Sequence, residues 1–237
     1  MTRKTVGVLG GMGPDATVDF MATVIALTKA AKDQDHVRML VDHNPGVPDR
    51  QAAMHGDRAA VSKVLSDMAL RLEAAGADFL VMPCNTAHVF LDDVLPLLQV
   101  PFIHIIGETV AEIAALCSDA RQVGVMATSA CVEAGAYQAA IAAAGAQCVL
   151  PSATGQQQLM ALIFRIKRGD RSQAVRDAML ASARDLVAAG AEAIVAGCTE
   201  IPLVLSAADL EVPFISSTEV LARRCIAMAG AQSKAAN

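Results

Sequence analysis

The chain has 237 residues, a formal net charge of −5, 54% hydrophobic and 3% aromatic residues, and no tryptophan. An acidic chain argues against nucleic-acid binding, which favours a basic face. No run of about 18 apolar residues escapes charge, glycine or proline, so no membrane span is expected.

The N-terminal piece MTRKTVGVLGG is too short and glycine-rich for a signal peptide and reads as a first strand, Thr5 to Gly10. The turn Gly10-Gly11-Met12-Gly13-Pro14 follows, with Pro14 suited to the first turn of a helix reaching about Ala31. A second strand covers Val37 to Asp42. HNPGVPDR, His43 to Arg50, is a loop because two prolines and a glycine forbid regular structure. A helix from about Asp57 to Ala75, capped by Gly76, leads to a strand at Asp78 to Met82. Cys84 comes next, then a helix from about Thr86 to Leu98 and a strand at Pro101 to Ile105. The second half opens on a strand at Gln122 to Ala127, with Thr128-Ser129 in place of the glycine turn. A helix at Cys131 to Ala144 and a strand at Gln147 to Leu150 follow. Two helices, Gly155 to Arg168 and Ser172 to Ala189, lead to strands at Glu192 to Ala196 and Val212 to Ile215. A helix from Thr218 to about Ala229 closes the chain, and the tail AQSKAAN is expected to fray. Strands alternating with helices predict an α/β fold with parallel sheets, whose ligands bind at the carboxyl ends of the strands.

One stretch occurs twice. AAGADFLVMPCNTA around Cys84 and AAGAEAIVAGCTEI around Cys198 align at an offset of 114 residues, which also sets Asp78 on Glu192. Val100-Pro101-Phe102-Ile103 meets Val212-Pro213-Phe214-Ile215 after a two-residue slip. Each copy reads as helix end, glycine, apolar strand, then cysteine. Duplicated halves often pack about a pseudo-two-fold axis, so two thiols facing one substrate from opposite sides are expected. Both cysteines sit where a following helix would begin, and backbone N–H groups there favour a thiolate. A thiolate and a thiol on opposite faces of a carbon invert a stereocentre by removing and returning a proton. That chemistry needs no cofactor, no metal and no redox step, but it couples the two ionisations.

Other readings of these residues stay open. Cys117, Cys131, Cys148 and Cys225 read as small buried hydrophobes. Zinc at the pair would recruit His88 and His104, but nothing matches them near Cys198. The absence of CxxC pairs fits reduced thiols in the cytoplasm, against a disulfide. Arg50 is either a solvated loop residue or a bidentate clamp on a carboxylate. Lys167 is an ordinary cation near a helix C-terminus or a second positive group of the site. Gly11-Met12-Gly13-Pro14-Asp15-Ala16, with Asp42 ending the second strand, outlines a dinucleotide site. That motif is weak alone and leaves the repeated cysteines unexplained.

GGMGPDAT (Gly10 to Thr17), NPGVPDR (Asn44 to Arg50), MPCNTAH (Met82 to His88) and AGCTEIP (Ala196 to Pro202) together resemble the cofactor-independent aspartate/glutamate racemase family, closest to its aspartate racemase branch. The resemblance spans nearly the whole chain. It implies two similar pseudo-symmetric α/β domains with the active site in the interdomain cleft. The last strands would return to the first domain, giving residues 1–103 plus 212–237 and residues 104–211. It implies Cys84 and Cys198 as acid–base thiols, with Cys198 serving the L isomer and Cys84 the D isomer. Arg50 and Lys167 would bind a side-chain carboxylate. Asn85, Thr86, Thr128 and Thr199 would surround the α-carboxylate, with Met12 and Gly13 lining the floor. A dicarboxylic amino acid is the implied substrate, and a cytoplasmic homodimer the implied form. Glutamate racemases carry Asp-Ser in the first turn and His after the second Cys-Thr; Gly-Met and Glu200 stand there. Glu200 is left between orienting the substrate ammonium and serving Cys198 as a base. Thr128-Ser129-Ala130-Cys131 is also poorer in Thr and Gly than the family pattern. Glutamate or broad-specificity racemisation, and hydantoin racemase, maleate isomerase or malonate decarboxylase activity, are the alternatives within the fold.

Overall fold

The structure, a computed structural model, describes residues 3–117 and 119–234. In chain order it contains β1 (Val6–Gly10), α1 (Pro14–Leu27), β2 (Met39–His43), α2 (Arg50–Met54), α3 (Arg58–Ala74), β3 (Phe79–Val81), β4 (Phe102–Ile103) and α4 (Ile105–Leu116). There follow β5 (Gln122–Ala127), α5 (Ser129–Glu133), α6 (Ala136–Ala143), β6 (Gln147–Val149), α7 (Ala153–Lys167), α8 (Gln173–Ala188), β7 (Ala193–Gly197), β8 (Phe214–Ser216) and α9 (Ser217–Met228). The fold is α/β, with two four-stranded parallel sheets flanked by helices. The first has the order β2-β1-β3-β4, and the second repeats it as β6-β5-β7-β8. β1 and β7 are buried along their whole length, which is why they read as unbroken apolar runs. The chain divides into two compact units, Met1–Ile105 with Thr218–Asn237, and Ile106–Ser217.

The duplication is visible atom by atom. A Cβ on Gly7 in β1 would meet Leu80, Ala77 and Leu72 at 2.5, 2.9 and 3.1 Å. A Cβ on Gly124 in β5 would meet Ile194, Ala191 and Leu186 at 2.6, 2.9 and 3.2 Å. The second set is the first shifted by 114 residues. Each sheet therefore lets a helix, α3 or α8, lie directly on its central strand. Gly76 and Gly190 end those two helices with φ of +91° and +102°, a conformation that favours glycine. Asp78 then accepts the Thr5 N–H, and Glu192 accepts the Gln122 N–H, so the matched acids pin the start of each sheet.

Several local expectations are corrected. β8 pairs with β7, so the last strand stays with the second sheet. What is exchanged is a helix: α4 follows β4 but lies in the second unit, and nearly all of α9 follows β8 into the first. The sequence reading missed α4 altogether. The helix expected at 86–98 is two 3-10 segments, Thr86–Asp93 and Leu95–Leu97, the second containing Pro96, which lacks an N–H. The helix expected at 131–144 is split into α5 and α6 by Gly135, φ +68°. α1 stops at Leu27, where Thr28 bonds back to Val24 O through its hydroxyl. The described part of the tail is tied down, through Lys29 N–H to Gln232 O and Lys234 N–H to Leu27 O, each 2.8 Å. Its last three residues lie outside the described residues. Cys117 and Cys148 are half-buried, while Cys131 and Cys225 are buried. Among the described residues no helix is long and apolar enough to cross a membrane.

Gly7→Ala and Gly124→Ala should each destabilise the chain by about 1–3 kcal/mol through overpacking against the helix beneath. Urea denaturation of both variants checks this. Similar losses are expected, and a tolerated substitution at either position would show that the two cradles are not equivalent.

Candidate active site

In the first unit the expected residues gather past the carboxyl ends of β1, β2 and β3. Cys84 lies three residues beyond β3, in a tight turn where its N–H donates to Met82 O at 2.8 Å, and it is 6% exposed. His88 frames that turn. Its Nε2 accepts the Ile105 N–H at 3.2 Å, so Nδ1 carries the proton and donates to Cys84 O at 2.8 Å. Burial and the neighbouring His104 push the His88 pKa down to about 3, which keeps the ring neutral and this tautomer in place. With both nitrogens spent on backbone, His88 is not available to a metal. Among the described residues no three His, Cys, Asp or Glu side chains are grouped to hold one.

Asn85 and Thr86 are buried beside Cys84. Arg50 opens α2 rather than ending a loop, with Asp49 as N-cap accepting the Ala52 N–H. Its Nη1 donates to Val47 O and Pro48 O, which fixes the guanidinium to the chain just before it. Met12 and Gly13 are joined by a cis peptide and are buried. The glycine turn is a packing device. A Cβ on Gly11 would strike the Asn44 backbone at 2.4 Å, and the Gly11 N–H is bonded to the Thr17 hydroxyl. Pro14 has no N–H to offer a phosphate, and the Asp42 carboxylate is paired with Arg71. These contacts remove most of what a dinucleotide would grip.

In the second unit, four expected residues form one cluster. Cys198 directly follows β7, is 4% exposed, and donates its thiol proton to Glu200 Oε2 at 3.0 Å. Glu200, 3% exposed, is ion-paired through Oε1 with Lys167 Nζ at 2.5 Å, from the last residue of α7. The Thr199 hydroxyl lies 3.5 Å from Oε2. Lys167 thus holds a buried carboxylate rather than simply capping its helix. Burial, then the Glu200 charge, raise the Cys198 pKa well above the ordinary thiol value, while Lys167 acts in the opposite direction. Thr128 caps α5, accepting the Cys131 N–H at 3.4 Å, and sits past the carboxyl end of β5.

Two residues near the thiols escaped the sequence reading. His88 was weighed only as a metal ligand, although its place four residues after Cys84 suits a bond back to that carbonyl. Tyr137, the only tyrosine, is 1% exposed, and its ring would meet a Cβ on Gly197 at 2.8 Å. Its hydroxyl bonds Thr109 and Ser217, and Ser217 donates to Ala196 O at 2.7 Å. Tyr137 therefore backs the strand end that carries Cys198. No sequence signal marked this role.

Residues 9–225 match the family model described as Asp/Glu/hydantoin racemase. The chain is 31% identical over 227 residues to the broad specificity amino-acid racemase RacX of Bacillus subtilis, covering 93% of this chain and 96% of the relative. Picrophilus torridus aspartate racemase has a similar structure, with a TM-score of 0.88 at 30% identity over 98% of this chain and 96% of that one. Glutamate racemase from Campylobacter jejuni shares the fold, with a TM-score of 0.66 at 19% identity over 97% and 88% of the two chains.

Native His88 binds no proton between its ordinary value of about 6.5 and a pH of about 3, whereas the unfolded chain does. Stability should therefore fall as pH drops through that window, by about 2 kcal/mol from this residue at pH 5. Denaturant titrations of the unmodified chain and His88→Gln test this. The variant should be less stable at neutral pH and show a shallower loss on acidification; parallel curves would mean that His88 is protonated in the native state.

Proposed function

The chain belongs to the Asp/Glu/hydantoin racemase family, and on that footing we propose that it interconverts L- and D-aspartate without a cofactor. One observation carries the reading. The same strand of the same sheet order, β3 and β7, is twice followed within three residues by a buried cysteine and then by a 3-10 segment. One thiolate removes the α-proton, and the other thiol delivers a proton to the opposite face of the carbanion. Cys198 takes the proton from the L isomer and Cys84 from the D isomer. One L-to-D turnover leaves Cys198 as the thiol and Cys84 as the thiolate, the state that takes the D isomer in the reverse direction. Asn85, Thr86, Thr128 and Thr199 supply donors for the α-carboxylate as charge builds on it, with Met12 and Gly13 beneath. Arg50 and Lys167 receive the side-chain carboxylate. Support for aspartate comes from these two cations and from similarity to the Picrophilus enzyme.

Broad specificity is the second reading, favoured by similarity to RacX over nearly the whole of both chains. Six cysteines with no CxxC pair support a reducing compartment, the cytoplasm, and a homodimer is the assembly we expect.

Proton NMR of L-aspartate with the protein in D₂O, followed in parallel by chiral chromatography, tests the assignment. Loss of the α-proton signal with D-aspartate appearing is the expected result. Faster exchange of neutral amino acids would replace aspartate specificity with the broad reading. Cys84→Ala and Cys198→Ala should each lower net racemisation by at least about 100-fold, the scale of a lost acid–base group. Full turnover in either variant would rule out the two-thiol mechanism.

A further inference from the structure

Cys198 presents a difficulty that its own geometry resolves. To act as a base it must first lose its proton, yet burial and an adjacent carboxylate hold it as a thiol. The proton already points at Glu200 Oε2, 3.0 Å away. That carboxylate is paired through Oε1 with the Lys167 ammonium. The two partners differ in freedom: the Glu200 side chain is 4% exposed and the Lys167 side chain 29%. The ammonium, on a flexible stem and partly in solvent, is the member of the pair that a ligand can draw away.

We propose that Glu200 is the proton acceptor for Cys198, and that Lys167 gates it: a substrate side-chain carboxylate draws the ammonium off Glu200, and the freed carboxylate takes the thiol proton. In that step the S–H bond breaks, its electron pair stays on sulfur, and an O–H bond forms on Oε2. A thiol and a carboxylate become a thiolate and a carboxylic acid, with charge conserved. In a complex that does not react, the proton returns to sulfur when Lys167 comes back; after a turnover sulfur already carries the substrate's α-proton, so Glu200 releases its proton to solvent and the Cys84 thiolate takes one up. A buried carboxylate stripped of its cation is strongly driven to find a proton, because an unpaired charge there is costly. A dicarboxylic amino acid thus arms the base as well as binding, whereas a neutral one leaves Cys198 protonated. The gate rests on the racemase reading above and adds to it a chemical reason for substrate choice.

The test uses α-methyl-aspartate, which has no α-proton to lose, and α-aminoisobutyrate as its neutral counterpart. Ultraviolet thiolate absorbance of the full chain should rise with the first and not with the second. The rise should vanish in Cys198→Ala, which assigns it, and in Glu200→Gln. The kcat/KM of Glu200→Gln on aspartate should fall about 100-fold or more. Its acid limb should move to higher pH, since the thiol must then ionise unaided. The titratable groups facing Cys198 are Glu200, Lys167 from α7 and Tyr137 from α6, so Tyr137→Phe is the control whose limb should not move. If Glu200→Gln does not fold, Lys167→Met replaces it, and the two ligands should then give the same absorbance. A thiolate signal that survives Glu200→Gln, that appears equally with the neutral ligand, or that is absent when α-methyl-aspartate is bound would overturn the gate. α-Proton exchange of L-aspartate by the unmodified chain separates the two ideas. Exchange without a Glu200-dependent thiolate sinks only the gate, and no exchange with any amino acid sinks the racemase reading.

Discussion

A missing side chain in the middle of each sheet governs the rest of the molecule. Gly7 and Gly124 leave room for α3 and α8 to rest on β1 and β5, and the contact fixes where each of those helices must end. From there a glycine turn, an acid that pins the start of the neighbouring central strand and a short buried strand follow in fixed order, so the cysteine past the strand's end has little choice of position. The thiols are placed by packing far beneath them. The glycine gap also fixes register, since a one-residue shift would carry it to the opposite face of the sheet, away from the helix it accommodates.

Placement is duplicated, but chemistry is not. At the offset that matches the cysteines, Asn85 meets Thr199, Thr86 meets Glu200, and His88 meets Pro202. One thiol therefore sits in a turn held by a neutral imidazole through its backbone, and the other donates to a buried carboxylate. In the proposed mechanism the two thiols hold opposite protonation states when the α-proton leaves, so mirror-image substrates need no mirror-image machinery. Burial beside Glu200 favours the protonated form of Cys198 in the free protein.

The sheets and the cysteines were legible because they rest on short-range patterns: continuous apolar runs, glycine after a helix, and a repeat long enough to align by eye. The features that escaped depend on contacts distant in sequence. The segment Ile105–Leu116 begins at once after a two-residue strand, with no turn residue to announce a helix. Gly135 could be recognised as a break only from its backbone angle. For Lys167 the sequence offered a helix-end cation, and its ion pair with a residue 33 positions away could not be foreseen. His88 was visible as a residue, but its tautomer is set by the Ile105 N–H. Tyr137 draws its role from Gly197, Thr109 and Ser217, which no local pattern brings together.

The exchanged helices carry a consequence of a different kind. Cut between the two copies of the repeat, the chain would yield one piece bearing α4 and another bearing α9, each holding a helix that belongs to the other's unit. Each piece would lack the helix that the other half contributes to its unit, and two pieces could restore both units only by trading helices. A gene encoding a single copy would have met the same shortage and could have relieved it only with a second molecule of itself. The fused chain makes that trade within one polypeptide, so the closure of each half no longer depends on protein concentration.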